Sequence, residues 1–146
     1  MSAVNPQALA EAFAKAMWTN DLASQGLGMS LEKVAPGEAT ISMTVTAAMC
    51  NGLGLCHGGY LFTLADSAFA FACNTYNQHP VAQQGAITFI APAYADERLT
   101  ARASEVCREG RGGIYDVSVP NPAGKTVAEF RGHSRTVNGV HLPDFD

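Results

Sequence analysis

Residues Asn51 to Tyr76 read NGLGLCHGGYLFTLADSAFAFACNTY, a glycine-broken loop that passes into a long apolar run with one carboxylate, Asp66, at its centre. Between Glu38 and Asp96 the chain holds no other Asp, Glu, Lys or Arg. A lone ionisable group in so apolar a run is expensive to bury unless something holds it. Asp66 is therefore the first candidate for chemistry. On the residues alone two readings stand: a catalytic carboxylate, or a structural one satisfied by Ser67, Thr63 or backbone groups.

The spacing predicts a helix over Gly59 to Tyr76. Ala65, Ala68, Ala70 and Ala72 stand beside Leu61 and Leu64, and no proline follows until Pro80. The run is hydrophobic nearly all round, so it belongs inside the fold. At ~1.5 Å per residue it is roughly 27 Å long, enough to cross a small domain. It is too short, and too interrupted by Asp66, for a membrane span of about 20 apolar residues. Its start, His57-Gly58-Gly59, presents free backbone N–H groups at the positive end of the helix dipole. The two glycines remove the side chains that would keep a ligand off that backbone. Such a site stabilises a carbonyl oxygen as it turns into an oxyanion. A tight loop-to-helix turn would use the same glycines.

Upstream, Asn5-Pro6 is a helix start, a cap residue followed by proline at the first helical position. Helix is expected through about Trp18, with Ala8, Leu9, Ala12, Phe13, Ala16 and Met17 as its apolar stripe. A first strand is expected over Gln25 to Val34, a turn at Pro36-Gly37, and a second strand over Ala39 to Val45, with Ile41, Met43 and Val45 on one face. Downstream, four strands are expected: Val81 to Ala91, Glu97 to Cys107, Gly113 to Val119 and Lys125 to Val137. Short turns at Glu109–Gly113 and Asn121–Gly124 suit antiparallel hairpins. An antiparallel sheet must cover its apolar face, and only the central helix is apolar enough to do so. The expected fold is α+β: a sheet wrapped around one long helix, with a second helix at the N-terminus.

The 146 residues amount to one domain, residues 1–146, with one core. A charged fraction of 15% leaves little charge to cover the surface, which favours subunit association. The net charge of −4 argues against nucleic acid as the main partner. No charged and apolar leader opens the chain, so a cytoplasmic location is expected and no membrane partner. The four cysteines, Cys50, Cys56, Cys73 and Cys107, form no CxxC pair and are expected as thiols. Cys56-His57 lacks a second paired ligand set, so neither a metal nor another cofactor is expected.

The string N-G-x-G-x-C-H-G-G-x-x-x-x-L-A-D-S-A, here Asn51 to Ala68, resembles the phenylacetic acid degradation family of hotdog-fold acyl-CoA thioesterases. Phe130, Arg131, Gly132 and Ser134 have the look of that family's last strand, and the resemblance runs from Asn20-Asp21 to about Arg135. It implies the hotdog fold and thioester hydrolysis, with Asp66 as general base or nucleophile. It also implies an oxyanion site at Gly59, with Asn51 and His57 lining the same site. Asn51 would hold the attacking water, and His57 would orient the loop or contact the thioester. Gly58 and Ser67, beside these, are expected to contact substrate. The apolar pair Leu53 and Leu55 in the loop bears on acyl preference.

That chemistry agrees with the residues. A thiolate leaves easily, since a thiol has a pKa of roughly 8.5. One carboxylate and backbone N–H groups can then suffice without a Ser-His-Asp triad. The expected substrate is an aromatic acyl-CoA of the phenylacetyl or hydroxyphenylacetyl type. Two other readings remain open, a hotdog hydratase or dehydratase and an acyl-CoA binding module without turnover. Exposed sheet edges with few charges to protect them lead to the expectation of at least a dimer, and the resemblance implies a homotetramer built as a dimer of dimers, with each active site shared between two chains.

Overall fold

The computed structural model describes residues 5–138. Helix α1 spans Pro6–Asn20, and Asn5 caps it by accepting from the N–H groups of Gln7 (2.8 Å) and Ala8 (3.4 Å). A one-turn helix α2, Leu22–Gly26, follows. Strands β1 (Ser30–Ala35) and β2 (Glu38–Thr44) form a hairpin around Gly37, whose φ of +74° suits glycine. The central helix α3 is Gly58–Cys73. Four strands close the chain: β3 (His79–Phe89), β4 (Arg98–Glu109), β5 (Gly112–Pro120) and β6 (Thr126–Val137).

The six strands make one antiparallel sheet in the order β1-β2-β4-β5-β6-β3. Ile41, Met43 and Val45, then Leu99, Ala101 and Ala103, then Tyr115, Val117 and Val119 all turn inward and are buried against α3. Their period of two is the alternation visible in the sequence. This is the hotdog arrangement. Phe69 of α3 seats between Tyr115 and Phe130, with ring centroids 5.7 and 5.8 Å away, and Phe62 meets Phe130 edge-on at 5.3 Å. Gly132 makes room for this: a Cβ there would lie 2.8 Å from the Phe69 ring. Truncating so buried a ring costs about 3–5 kcal/mol.

Four expectations need correction. Residues Gln25 and Gly26 belong to α2, because the Asp21 carboxylate accepts from both the N–H (3.0 Å) and the hydroxyl (2.7 Å) of Ser24 and winds a helical turn. The buried face of α1 is Ala10, Phe13 and Ala14, with Ala8 exposed; alanines all round the helix left its orientation weakly specified. The central helix stops at Cys73, where Asn74 donates to the Ala70 carbonyl (2.8 Å) and Thr75 to that of Ala72 (2.9 Å). His79, expected in a loop, opens β3. That strand is one of the sheet's two edges, and several of its apolar residues are left uncovered, with Val81 43% and Phe89 55% exposed.

Candidate active site

The loop ahead of α3 folds back on itself before the helix begins. Asn51 donates its N–H to the Leu55 carbonyl (2.7 Å), and His57 donates to that of Met49 (2.8 Å), so Cys50 and Cys56 face each other in an antiparallel bridge. At the tip the Asn51 Oδ1 accepts from the N–H groups of Leu53 (2.9 Å) and Leu55 (3.1 Å), and Gly54 takes φ +78°. The Asn51 side chain thus builds the loop with its oxygen and keeps its NH2 group for other partners. Cys56 donates its N–H to the Ala93 carbonyl (2.8 Å), which ties the loop to the segment after β3.

His57 is the N-cap of α3, its Nδ1 accepting from the Gly59 N–H at 3.1 Å. The ring therefore occupies a backbone donor of the first turn. Beside it lies a mostly apolar pocket of about 430 Å³, lined by Asn51, Leu55, Gly58, Leu61, Phe89 and Pro92 among others. The Phe89 ring lies so close to Gly58 that a Cβ there would come within 2.6 Å of it. The Phe89 ring, 55% exposed, would have to swing away to admit a side chain at Gly58. A larger groove of about 840 Å³ runs between α1 and β1. It carries Glu11, Lys15, Glu32 and Lys33 at its edges and none of the sequence-predicted site residues, so size alone does not make it the reactive site.

Asp66 lies seven residues beyond Gly59 on the same helix, ~10 Å along its axis. It is half-buried, and no hydrogen bond or ion pair engages it among the described residues. Desolvation by burial raises its pKa above the usual carboxylate value. Asp66 belongs to a stripe of open or partly open positions, Gly59, Phe62, Thr63, Asp66 and Ala70, on a helix whose opposite side, Leu61, Leu64, Ala65, Ala68, Phe71 and Ala72, is buried. Ser67 turns elsewhere: its hydroxyl meets that of Ser24 at 3.0 Å, and Ser24 in turn donates to Asp21. This chain pins α2 onto α3. The fold thus gathers Asn51, His57, Gly58 and Gly59 at the helix start, sets Asp66 two turns away, and directs Ser67 to a structural contact.

Phe89 and Leu61, which line the pocket, were not singled out as site residues from the sequence; an aromatic at the end of an uncharged strand was the available signal. Sequence reading also missed a polar cluster at the other end of α3. There the Glu105 carboxylate accepts from the hydroxyls of Tyr76 and Tyr115, both at 3.0 Å, and Arg108 stacks on Tyr76 at 3.5 Å. Both tyrosine hydroxyls are held protonated by burial and by this carboxylate. The cluster anchors the helix end to β4 and β5. Among the described residues no three His, Cys, Asp or Glu side chains converge to hold a metal ion, and no helix is long and apolar enough to cross a membrane.

Residues 53–128 match the family profile described as the Thioesterase superfamily. The acyl-coenzyme A thioesterase PaaI of Escherichia coli K12 is 44% identical over 127 residues, covering 87% of this chain and 91% of its own length. The solved structure of E. coli PaaI, described as a protein of the phenylacetic acid degradation operon, superposes with a TM-score of 0.91. It is 41% identical, with 93% of this chain and 99% of that one covered. The TT0310 protein of Thermus thermophilus superposes with a TM-score of 0.78 at 39% identity, covering 81% of this chain and 99% of its own.

Proposed function

The chain belongs to the thioesterase superfamily and is an acyl-CoA thioester hydrolase, and on that premise we propose that it hydrolyses aromatic acyl-CoA of the phenylacetyl type with Asp66 as general base. One observation carries the proposal: a half-buried carboxylate with no hydrogen bond or ion pair among the described residues, on the more open side of a helix whose other side is packed into the core. A protein spends stability on such a group when it serves chemistry. Two features support the aromatic preference. The pocket beside the helix start is walled by Phe89 and Leu61, and its volume of about 430 Å³ exceeds what a phenyl ring needs, since cavities of roughly 150 Å³ already hold benzene. The PaaI relative, for its part, comes from the phenylacetic acid degradation operon.

The Asp66 carboxylate takes a proton from water, and the oxygen of that water bonds to the thioester carbon. The carbonyl electron pair moves onto oxygen, which the Gly59 N–H stabilises. His57 holds this N–H beforehand. An oxyanion is a stronger acceptor than a neutral ring nitrogen and takes its place. Collapse re-forms the carbonyl, breaks the carbon–sulfur bond and expels the CoA thiolate. Asn51 offers its free NH2 group to the water or the acyl oxygen. Ser67 acts at one remove, fixing α2 against α3.

The donor and the base sit too far apart on one helix to meet one carbonyl, so each site draws Gly59 from one chain and Asp66 from another. The edge strand β3 is the joining surface. It is unpaired on one side, carries no Asp, Glu, Lys or Arg from His79 to Phe89, and exposes apolar side chains. The expected assembly is a dimer through this edge, doubled to a tetramer. Incubating the purified protein with phenylacetyl-CoA and a thiol reagent tests the reading. Thiol release supports it; binding without release indicates a binding module, and hydration of an enoyl-CoA instead indicates a hydratase.

A further inference from the structure

Cys50 and Cys56 are free thiols placed opposite one another across the two arms of the active-site loop. The hydrogen bonds beside them run from Asn51 to Leu55 and from His57 to Met49. Neither bond belongs to the cysteines themselves, so they form the non-hydrogen-bonded kind of antiparallel pair. Such pairs hold their Cα atoms ~4.5 Å apart with the side chains close together. A disulfide needs Cα atoms about 4.4–6.8 Å apart and Cβ atoms about 3.5–4.5 Å apart. The backbone therefore already meets the requirement, and only a small approach of the Cβ atoms is left. The two residues differ in access. Cys50 is half-exposed, whereas Cys56 is buried, which pushes its thiol up to about 11.

We propose that Cys50 and Cys56 form an oxidative modification site, a dithiol that hydrogen peroxide closes to an intramolecular disulfide in the folded enzyme, and that this closure slows turnover. The more accessible Cys50 reacts first. Its thiolate attacks peroxide, the oxygen–oxygen bond breaks, and a sulfenic acid and hydroxide result. The Cys56 sulfur then attacks the Cys50 sulfur and the sulfur–oxygen bond breaks. The departing hydroxide leaves as water with the Cys56 proton. Two electrons pass from the two sulfurs to peroxide, which ends as two waters. The effect on turnover rests on the proposed site. Asn51 and His57 are each the next residue after a cysteine of the pair, so drawing the arms together moves both. A shift of about 1 Å in such positioning groups can cost ~10²-fold in rate.

The test uses Cys107→Ser protein, because Cys107 is exposed and would otherwise form links between molecules. Cys73 is buried, its thiol pushed up to about 12, and needs no change. After treatment with hydrogen peroxide, digestion without reductant by chymotrypsin cuts at Leu53 or Leu55. The two cysteines then lie on separate peptides that only the disulfide joins. Joined peptides are expected, together with a tenfold or greater loss of thioesterase rate that dithiothreitol reverses. The Cys50→Ser, Cys107→Ser protein should be as active as its parent and indifferent to mild peroxide. Absence of the joined peptides, over-oxidation of Cys50 instead, or a disulfide that leaves the rate unchanged would overturn the proposal. If the reduced protein itself shows no thioesterase activity, the function reading fails, while the peptide linkage still reports on the dithiol.

Discussion

Two inactive variants should restore one another. Gly59 and Asp66 are seven residues apart on α3, ~10 Å along its axis. A reacting carbonyl must sit about 3 Å from both the oxyanion donor and the attacking group. The Asp66 side chain leans toward the helix start and closes only part of the gap. A second copy whose helix ran antiparallel across a two-fold axis would set its Asp66 opposite this chain's Gly59. Asp66→Ala removes the base. Gly59→Pro removes the N–H within the first helical turn, where proline is tolerated, and Gly58 has no Cβ for the proline ring to strike. The cap from His57 to the Gly59 N–H is lost as well, at about 0.5–2 kcal/mol, which a folded oligomer withstands. Equal amounts are mixed under conditions that exchange subunits, and thiol release is followed with phenylacetyl-CoA. Random pairing makes about half the dimers hybrid, and each hybrid has one intact site and one doubly damaged site. About a quarter of wild-type activity should return. With sites built inside single chains every site keeps a lesion, so no recovery after demonstrated exchange refutes the reasoning.

Other consequences follow from the same geometry. Because burial raises the Asp66 pKa, the acid limb of kcat/KM should lie above the ordinary aspartate value of 3.8. The folded state also binds that proton more tightly than the unfolded chain, so this residue's contribution to stability falls as pH rises from the unfolded to the folded pKa. Asp66→Asn should abolish both slopes, as thermal melts across pH would register. Phe89→Ala should lower kcat/KM for phenylacetyl-CoA roughly two- to tenfold, the scale of a lost aromatic contact of about 0.5–1.5 kcal/mol, and spare a short aliphatic acyl-CoA; equal losses on both substrates would remove Phe89 from acyl selection. Val81→Lys with Ala86→Lys puts charges on the exposed edge strand and should yield monomers in sedimentation. In a single turnover in heavy-oxygen water, the label should appear in the released acid and none in Asp66; label in Asp66 would make it a nucleophile.

Elements with a strict period were legible in the sequence. Ile41, Met43 and Val45 alternate because one face of β2 meets α3, and the Asn5-Pro6 start of α1 follows from cap chemistry that needs no tertiary context. The short α2 was not legible, since it depends on Asp21 reaching Ser24 and on Ser24 meeting Ser67, forty-three residues away. The candidate site was legible where one residue type stood out, as Asp66 does in an uncharged run. The role of His57 as the cap on Gly59, the contact of Phe89 on Gly58 and the facing of Cys50 and Cys56 were not. Each arises when a loop closes on itself or a distant strand passes by, which no local pattern records. The edge position of β3 likewise follows from its pairing with β6 alone, a matter of topology that its own apolar residues do not reveal.

The most direct measurement is steady-state hydrolysis of phenylacetyl-CoA by the wild-type protein and by Asp66→Asn, side by side, with melting temperature and oligomeric state recorded for both. The isostere keeps the shape of the side chain and removes the base. If Asp66 drives attack by water, the variant folds and assembles as before, its KM stays within a few-fold, and kcat falls by about 10²–10⁴. A folded variant that turns over at the wild-type rate would contradict the assignment outright.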